Sequence, residues 1–412
     1  MTPAVTPTAT RRVVVTGLGI VSSIGTGADE FAAGLRAGRD GAGEITVFDP
    51  TGFPTTIGCD VPGFEPRRWM SDERAESLDR IAQLSVAAAV MAVRHARADL
   101  AALRERRGAI SLGTNGRANV FADLCAAEIA AGGEQSGPPP AGADLLPADL
   151  VCLEVARELG LADVETATVG TACSAGNYAI ANAFDAIRSG DVEFALCGGV
   201  DPMCVGTFAS FTRFGTVAAD ACRPFDADRT GMLVGEGAAV LVLEPLEAAL
   251  ARGADIHAEV LGCGLNCDAF HQVAPDQQGV ADCVRRALAD AGVRPEDVDL
   301  VSAHGTATKA NDVVEVAAIR EVFGDATPPV ISVKSMLGHT MGAASALAAA
   351  ACVLALEHGF VPPTINHRHT DPECDVDCVP NVAREADLRI VQNNSLGFGG
   401  NNAVLVLGRY EA

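Results

Sequence analysis

The pentapeptide AVLVL occurs at 239–243 and again at 403–407, 164 positions later. A short apolar run rich in valine reads as a buried strand. Each copy follows a glycine-rich turn, VGEGA in one case and FGGNN in the other. The same offset carries Val169 onto Val333, so the turn holding Cys173 overlays the turn holding Lys334 and His339. Two matches at one offset point to a duplicated architecture with a reactive turn in each half. The halves are expected at 1–250 and 251–412.

Between the copies, strands alternate with helices. Residues 12–19 (RVVVTGLG) read as a buried strand entering a glycine turn, and 71–95 has helical spacing. Three similar units follow. A strand at 165–169 leads through GTACSAGN to a helix, which Ser189-Gly190 ends before a strand at 192–197. A strand at 298–303 leads through HGTATKAND to a helix over 313–322. A strand at 330–333 leads through KSMLGHTMG to an alanine-rich helix that Gly359 ends. This alternation predicts an α/β layered fold with a largely parallel central sheet. Residues 132–149 are turn-rich and read as an exposed loop.

The chemistry gathers at the strand ends. Cys173 sits between a strand and a helix, where the positive end of the helix favours the nucleophilic thiolate. Its neighbours Ala172, Ser174, Ala175 and Gly176 are small enough for a tight turn and a close substrate. His304 directly follows a strand, and Lys334 and His339 share one turn. Open α/β sheets place ligands at such strand ends. The turn 397–400 (GFGG) offers backbone N–H groups to an oxyanion. One thiol, two imidazoles and a lysine suit thioester exchange followed by enolate stabilisation. A papain-like protease needs one histidine with an orienting asparagine, and leaves the second histidine and the lysine unexplained.

Bulk properties exclude other classes. A net charge of −23 opposes nucleic-acid binding, and no basic cluster offsets it. The chain holds only two lysines, Lys309 and Lys334. Thirteen scattered cysteines in 412 residues imply a reducing, cytoplasmic setting. The CxxxC pairs Cys263/Cys267 and Cys374/Cys378 lack partners with metal-ligand spacing, so no metal is expected. The N-terminus has no apolar signal core, and the apolar stretch 343–356 is too short to span a bilayer, so a buried helix and no membrane association are expected.

Together these motifs resemble the β-ketoacyl synthase family, in its synthase II and type II polyketide ketosynthase branch. The matching stretches are VTGLGIVSSIG, GTACSAG, CRPFDADRTGMLVGEGA, AHGTATKAND, VKSMLGHTMGA, VPPTIN and SLGFGGNNA, which run in order from Val15 to Ala403. The resemblance implies the duplicated thiolase fold, five α-β-α-β-α layers with two central sheets. It implies an enzyme that takes an acyl chain from an acyl carrier protein onto Cys173. His304 and His339 match the pair that assists malonyl decarboxylation, and Lys334 matches the lysine that supports them. The N–H groups of Cys173 and Phe398 match the oxyanion hole, and the Phe398 ring, beside Gly399, matches a gate. Thr306 and Thr308 match the hydroxyls that hold phosphopantetheine. No metal or redox cofactor is implied, and the family forms dimers, here a homodimer or a heterodimer with a chain-length-factor-like subunit.

Three departures qualify the resemblance. Asp72, Glu73 and Glu76 stand where relatives often carry basic residues for docking the acidic carrier, which leaves Arg74 and Arg213 as docking candidates. Gly116 falls where relatives place a bulky gate in the acyl pocket, and Ser174 replaces a frequent threonine. These tilt the reading toward polyketide or polyene rather than fatty-acid synthesis. Two alternatives stay open: a non-condensing chain-length-factor subunit, and a thiolase-fold acyltransferase that releases no carbon dioxide.

Overall fold

The computed structural model describes residues 10–116, 123 and 150–411; the loop expected at 132–149 lies outside them. Among the described residues, ten principal strands form the framework. The first five are β1 (Val13–Ser22), β2 (Gly108–Gly113), β3 (Val164–Val169), β4 (Phe194–Asp201) and β5 (Gly237–Pro245). The second five are β6 (Ala258–Cys267), β7 (Leu300–Ser302), β8 (Val330–Ile331), β9 (Ile390–Gly397) and β10 (Asn401–Gly408).

Their spatial order reveals the duplication. The first half runs β3-β2-β4-β5-β1 and the second β8-β7-β9-β10-β6, the same permutation. The two AVLVL segments lie in β5 and β10, which hold matching places. The halves join where β1 pairs with β6 through Val13↔Val260, Val14↔Glu259 and Val15↔Ala258.

The sheet is mixed, not largely parallel as the alternation of strands and helices suggested. In each half two pairings are parallel (β2–β3 and β2–β4; β7–β8 and β7–β9). The other two are antiparallel (β4–β5 and β5–β1; β9–β10 and β10–β6). No crossover helix separates β9 from β10, and a three-residue turn can only return the chain antiparallel.

Five principal helices complete the layers: α1 (Arg80–His95), α2 (Ala175–Ser189), α3 (Gln277–Ala291), α4 (Lys309–Phe323) and α5 (Ala344–His358). Helix α1, with the helix Leu150–Leu159, covers the outer face of the first half, and α3 with α4 covers that of the second. Helices α2 and α5 lie between, touching each other and strands of both halves. The result is α-β-α-β-α. Helix α5 is apolar all round because no face meets water; every residue from Ala344 to Leu356 is buried. The segment Met341–His358 is apolar enough to cross a membrane, yet 89% of it is buried inside the protein.

The helical spacing at 71–95 resolves into two helices. Ser71 caps Asp72–Ser77, and Asp79 starts α1 by accepting the Ala82 N–H at 3.0 Å. An N-capping carboxylate captures amides that a continuous helix would bond internally.

Candidate active site

Cys173 lies in a single 3-10 turn, Ala172–Ser174, between β3 and α2. Ala172 has φ 53°, a left-handed conformation that costs a non-glycine residue about 1 kcal/mol. Ser395 of β9 holds the turn through its Oγ, which donates to the Cys173 carbonyl at 3.0 Å. The sulfur is buried. Burial pushes the thiol up to about 11, against the opposing pull of Lys334 and of the N–H groups of Phe398 and Cys173 itself. The expected thiolate is therefore not the resting form: desolvation outweighs the helix end and the nearby cation.

This gives a test. Alkylation of Cys173 by iodoacetamide should rise about tenfold per pH unit from about pH 7 to pH 9. Lys334→Met should slow it further at every pH, because Lys334 lowers the thiol pKa. Peptide mass spectrometry reads both rates. A plateau already reached at neutral pH contradicts the assignment.

His304 follows β7, and its position is set by a residue the sequence reading missed. The buried Glu315 of α4 accepts the N–H of His304 at 2.7 Å and that of Gly305 at 2.8 Å. Lys334 opens a one-turn helix, Lys334–Leu337, and its Nζ donates to the His304 carbonyl at 2.6 Å. The same Nζ lies 3.4 Å from His304 Nδ1. An ammonium has only donors, so Nδ1 accepts and the ring proton sits on Nε2. Glu315 favours the charged form of Lys334, although burial lowers its pKa.

His339 reaches the same state by another route. Its Nδ1 accepts the Met341 N–H at 3.1 Å, which again places the ring proton on Nε2. Burial, then the Lys334 charge, holds both imidazoles well below their usual pKa. The site therefore presents two neutral rings, each with an Nε2–H to donate. The rings meet edge to face with centroids 5.5 Å apart. A ring nitrogen of each and the Cys173 sulfur all lie within 4.8 Å of one another.

A cavity of about 280 Å³ opens onto this triad. Thr306 and Thr308 line it, their hydroxyls 2.9 Å apart. The Phe398 ring lines the cavity, tilted against Phe211 at 5.7 Å and edge-on to Phe214 at 5.8 Å. Gly399 beside it has φ 78°, which favours glycine. His271, also missed from sequence, lines the mouth with Nδ1 accepting the Val273 N–H.

Gly116 is not among the residues that line this cavity. A Cβ there would lie 2.5 Å from Asp201 Oδ1 and 2.8 Å from Pro202 Cδ. A side chain at 116 would have to displace the Asp201 carboxylate and the Pro202 ring. Arg74 is also engaged internally, by Glu154 and Glu158. Arg213 is exposed beside Phe214, and Lys309 is exposed between the cavity-lining Thr308 and Ala310. Neither forms an ion pair among the described residues.

Comparison with known proteins agrees with this geometry. Residues 10–249 match the model of the β-ketoacyl synthase N-terminal domain, and 257–368 match that of its C-terminal domain. The chain is 40% identical to nodulation protein E of Rhizobium sp. (strain N33), over 96% of this chain and 98% of that protein. It is 37% identical to 3-oxoacyl-[acyl-carrier-protein] synthase 2 of Synechocystis sp., over 97% and 99%. Among solved structures, a chain of the ishigamide ketosynthase/chain length factor is 55% identical with a TM-score of 0.94, over 98% of this chain and 100% of that one. A chain of a type II PKS acyl-carrier protein in complex with its ketosynthase bound to the hexaketide is 30% identical, with a TM-score of 0.89, over 98% and 100%.

Proposed function

The chain belongs to the β-ketoacyl synthase family, and from that premise we infer that it lengthens acyl chains by decarboxylative condensation, with Cys173 as the acyl carrier and His304 and His339 as enolate stabilisers. The observation that carries this reading is the convergence of one sulfur and a ring nitrogen of each of two neutral imidazoles on one cavity.

The chemistry follows from the donors. The Cys173 sulfur attacks the acyl thioester of a carrier's phosphopantetheine. The N–H groups of Cys173 and Phe398 take the developing oxyanion. The pantetheine thiolate leaves with the Cys173 proton. Malonyl carrier then enters, loses carbon dioxide, and leaves an enolate whose oxygen accepts from both imidazoles. The enolate carbon attacks the Cys173 thioester, and the expelled thiolate takes up a proton. Neutral rings suffice, since each Nε2–H can give the enolate oxygen a hydrogen bond without transferring its proton. Burial, and then the Lys334 charge, keeps them neutral. Thr306 and Thr308 hold the pantetheine arm, and Phe398 on the Gly399 hinge gates the sulfur. The halves 1–250 and 251–412 are copies of one ancestral unit that divide these roles.

We place this chain in polyketide-type rather than housekeeping elongation, because the likeness to the ketosynthase/chain length factor structure is 55% against 37% for the synthase 2 of Synechocystis. It works in the cytoplasm as a dimer, with a second copy or a related chain length factor. The acyl carrier protein docks at the rim bearing Arg213 and Lys309, since Arg74 is spent on Glu154 and Glu158. The reading as a non-condensing factor loses its ground because the sulfur and both imidazoles stand in contact range. Acyl and malonyl carriers incubated with the enzyme should yield a β-ketoacyl carrier two carbons longer, with one carbon dioxide per product. Acyl transfer without carbon dioxide would instead mark a non-decarboxylating acyltransferase.

A further inference from the structure

Asp201 is buried at the end of β4, 1% exposed, with no ion pair among the described residues. Such a group is costly to keep, and burial pushes its pKa up to about 7. The duplication shows what it does. Asp201 pairs with Gly237 of β5, and Gly397 pairs with Asn401 of β10. Gly237 and Asn401 are related by the 164-residue offset, so Asp201 is the counterpart of Gly397, and Pro202 that of Phe398.

The reactive turns correspond as well. Ala172–Ser174 precedes α2 as Met341–Ala343 precedes α5. Ala172 and Met341 share the left-handed conformation, φ 53° and 50°. Gly342 is thus the counterpart of Cys173. In the first half the N–H groups of Cys173 and Phe398 converge on the sulfur. In the second, the Gly342 N–H is taken by Asp201 Oδ2 at 2.5 Å, and Pro202 has no N–H to offer. A side-chain carboxylate fills the place where the first half receives substrate oxygen.

We propose that Asp201 is a positioning residue for His339: by accepting the Gly342 N–H it fixes the strained Met341 turn whose own N–H orients the imidazole. The carboxylate is itself held by Thr114 Oγ1 at 2.8 Å and by the Asn115 N–H at 3.1 Å. It therefore ties the end of β2 to the histidine turn. Strain of the Met341 kind persists only where its surroundings over-determine it.

The proposal rests on the condensing-enzyme reading, and the test separates the two. The enzyme, in the assembly in which it purifies, is given butyryl-pantetheine and malonyl-pantetheine separately. Asp201→Ala should leave acylation of Cys173 within about twofold of wild type and cut carbon dioxide release about 100-fold, since a small misplacement of a catalytic group costs that much. Asp201→Asn keeps an oxygen acceptor for Gly342 and should recover most of the release. Equal loss of both half-reactions in Asp201→Ala, or no loss of release, overturns the proposal. If that variant does not fold, Asp201→Ser, whose shorter side chain withdraws the acceptor from Gly342, decides: selective loss of release supports the proposal, and equal loss of both half-reactions or full retention of release overturns it. A wild-type enzyme that neither acylates nor releases carbon dioxide would contradict the condensing reading itself.

Discussion

Cys173→Ser loses carbon–carbon bond formation by about 10⁴-fold or more, as completely as Cys173→Ala. The comparison with serine is informative because the hydroxyl is nearly isosteric. Serine nucleophiles work beside an imidazole that accepts their proton. Here neither ring has a free acceptor. His304 Nδ1 faces the Lys334 ammonium and His339 Nδ1 holds the Met341 amide. A hydroxyl placed among these donors is never activated. A thiol leaves its proton far more readily, even when burial has raised it to about 11. Measured turnover of the serine variant above one part in about a hundred would mean that one imidazole acts as a base, and that the proton assignment is wrong.

His304→Ala and His339→Ala each lower carbon dioxide release from malonyl carrier by about 10²- to 10³-fold, the usual effect of removing one donor from a developing oxyanion. The double variant falls little further, because the two donors serve one oxygen and act as a unit. Acylation of Cys173 changes far less, since the N–H groups of Cys173 and Phe398 remain. Both imidazoles are held well below their usual pKa. The rate of release therefore shows no histidine titration between about pH 6 and pH 8. A sigmoid fall centred near pH 6.5 in the wild type, absent from one single variant, would assign that ring a charged role instead.

Much of this was legible in the residues, for identifiable reasons. The two AVLVL strands carry the same burial on both faces, so the repeat survived in their composition. The reactive turns diverged, and the offset of 164 that relates β5 to β10 does not extend to the helices that follow the turns. The helices α2 and α5 begin at Ala175 and Ala344, five residues further apart. The extra chain belongs to the stretch that carries Lys334 and His339. A sequence overlay at one fixed offset matches the turns but misaligns the residues within them, and so hides the equivalence of Cys173 with Gly342.

Other features depend on contacts between distant segments. Glu315 left a faint signal, a single acid inside the apolar run VVEVAAI. Its meaning appears only when the chain brings it under the His304 amide, eleven residues upstream. The space beside Gly116 is bounded by Asp201, which another strand brings there. Arg74 looked available for a carrier until the helix Leu150–Leu159 supplied Glu154 and Glu158. Spacing within a helix cannot report partners from outside it.

The most direct measurement is the mass of the Cys173 peptide through one reaction cycle. After incubation with acyl carrier alone, the peptide should gain one acyl group. After malonyl carrier is added, that mass should vanish as a β-ketoacyl carrier two carbons longer appears with one carbon dioxide. An acyl group that never forms on Cys173, or that forms and is not consumed while the longer product accumulates, would contradict the assignment.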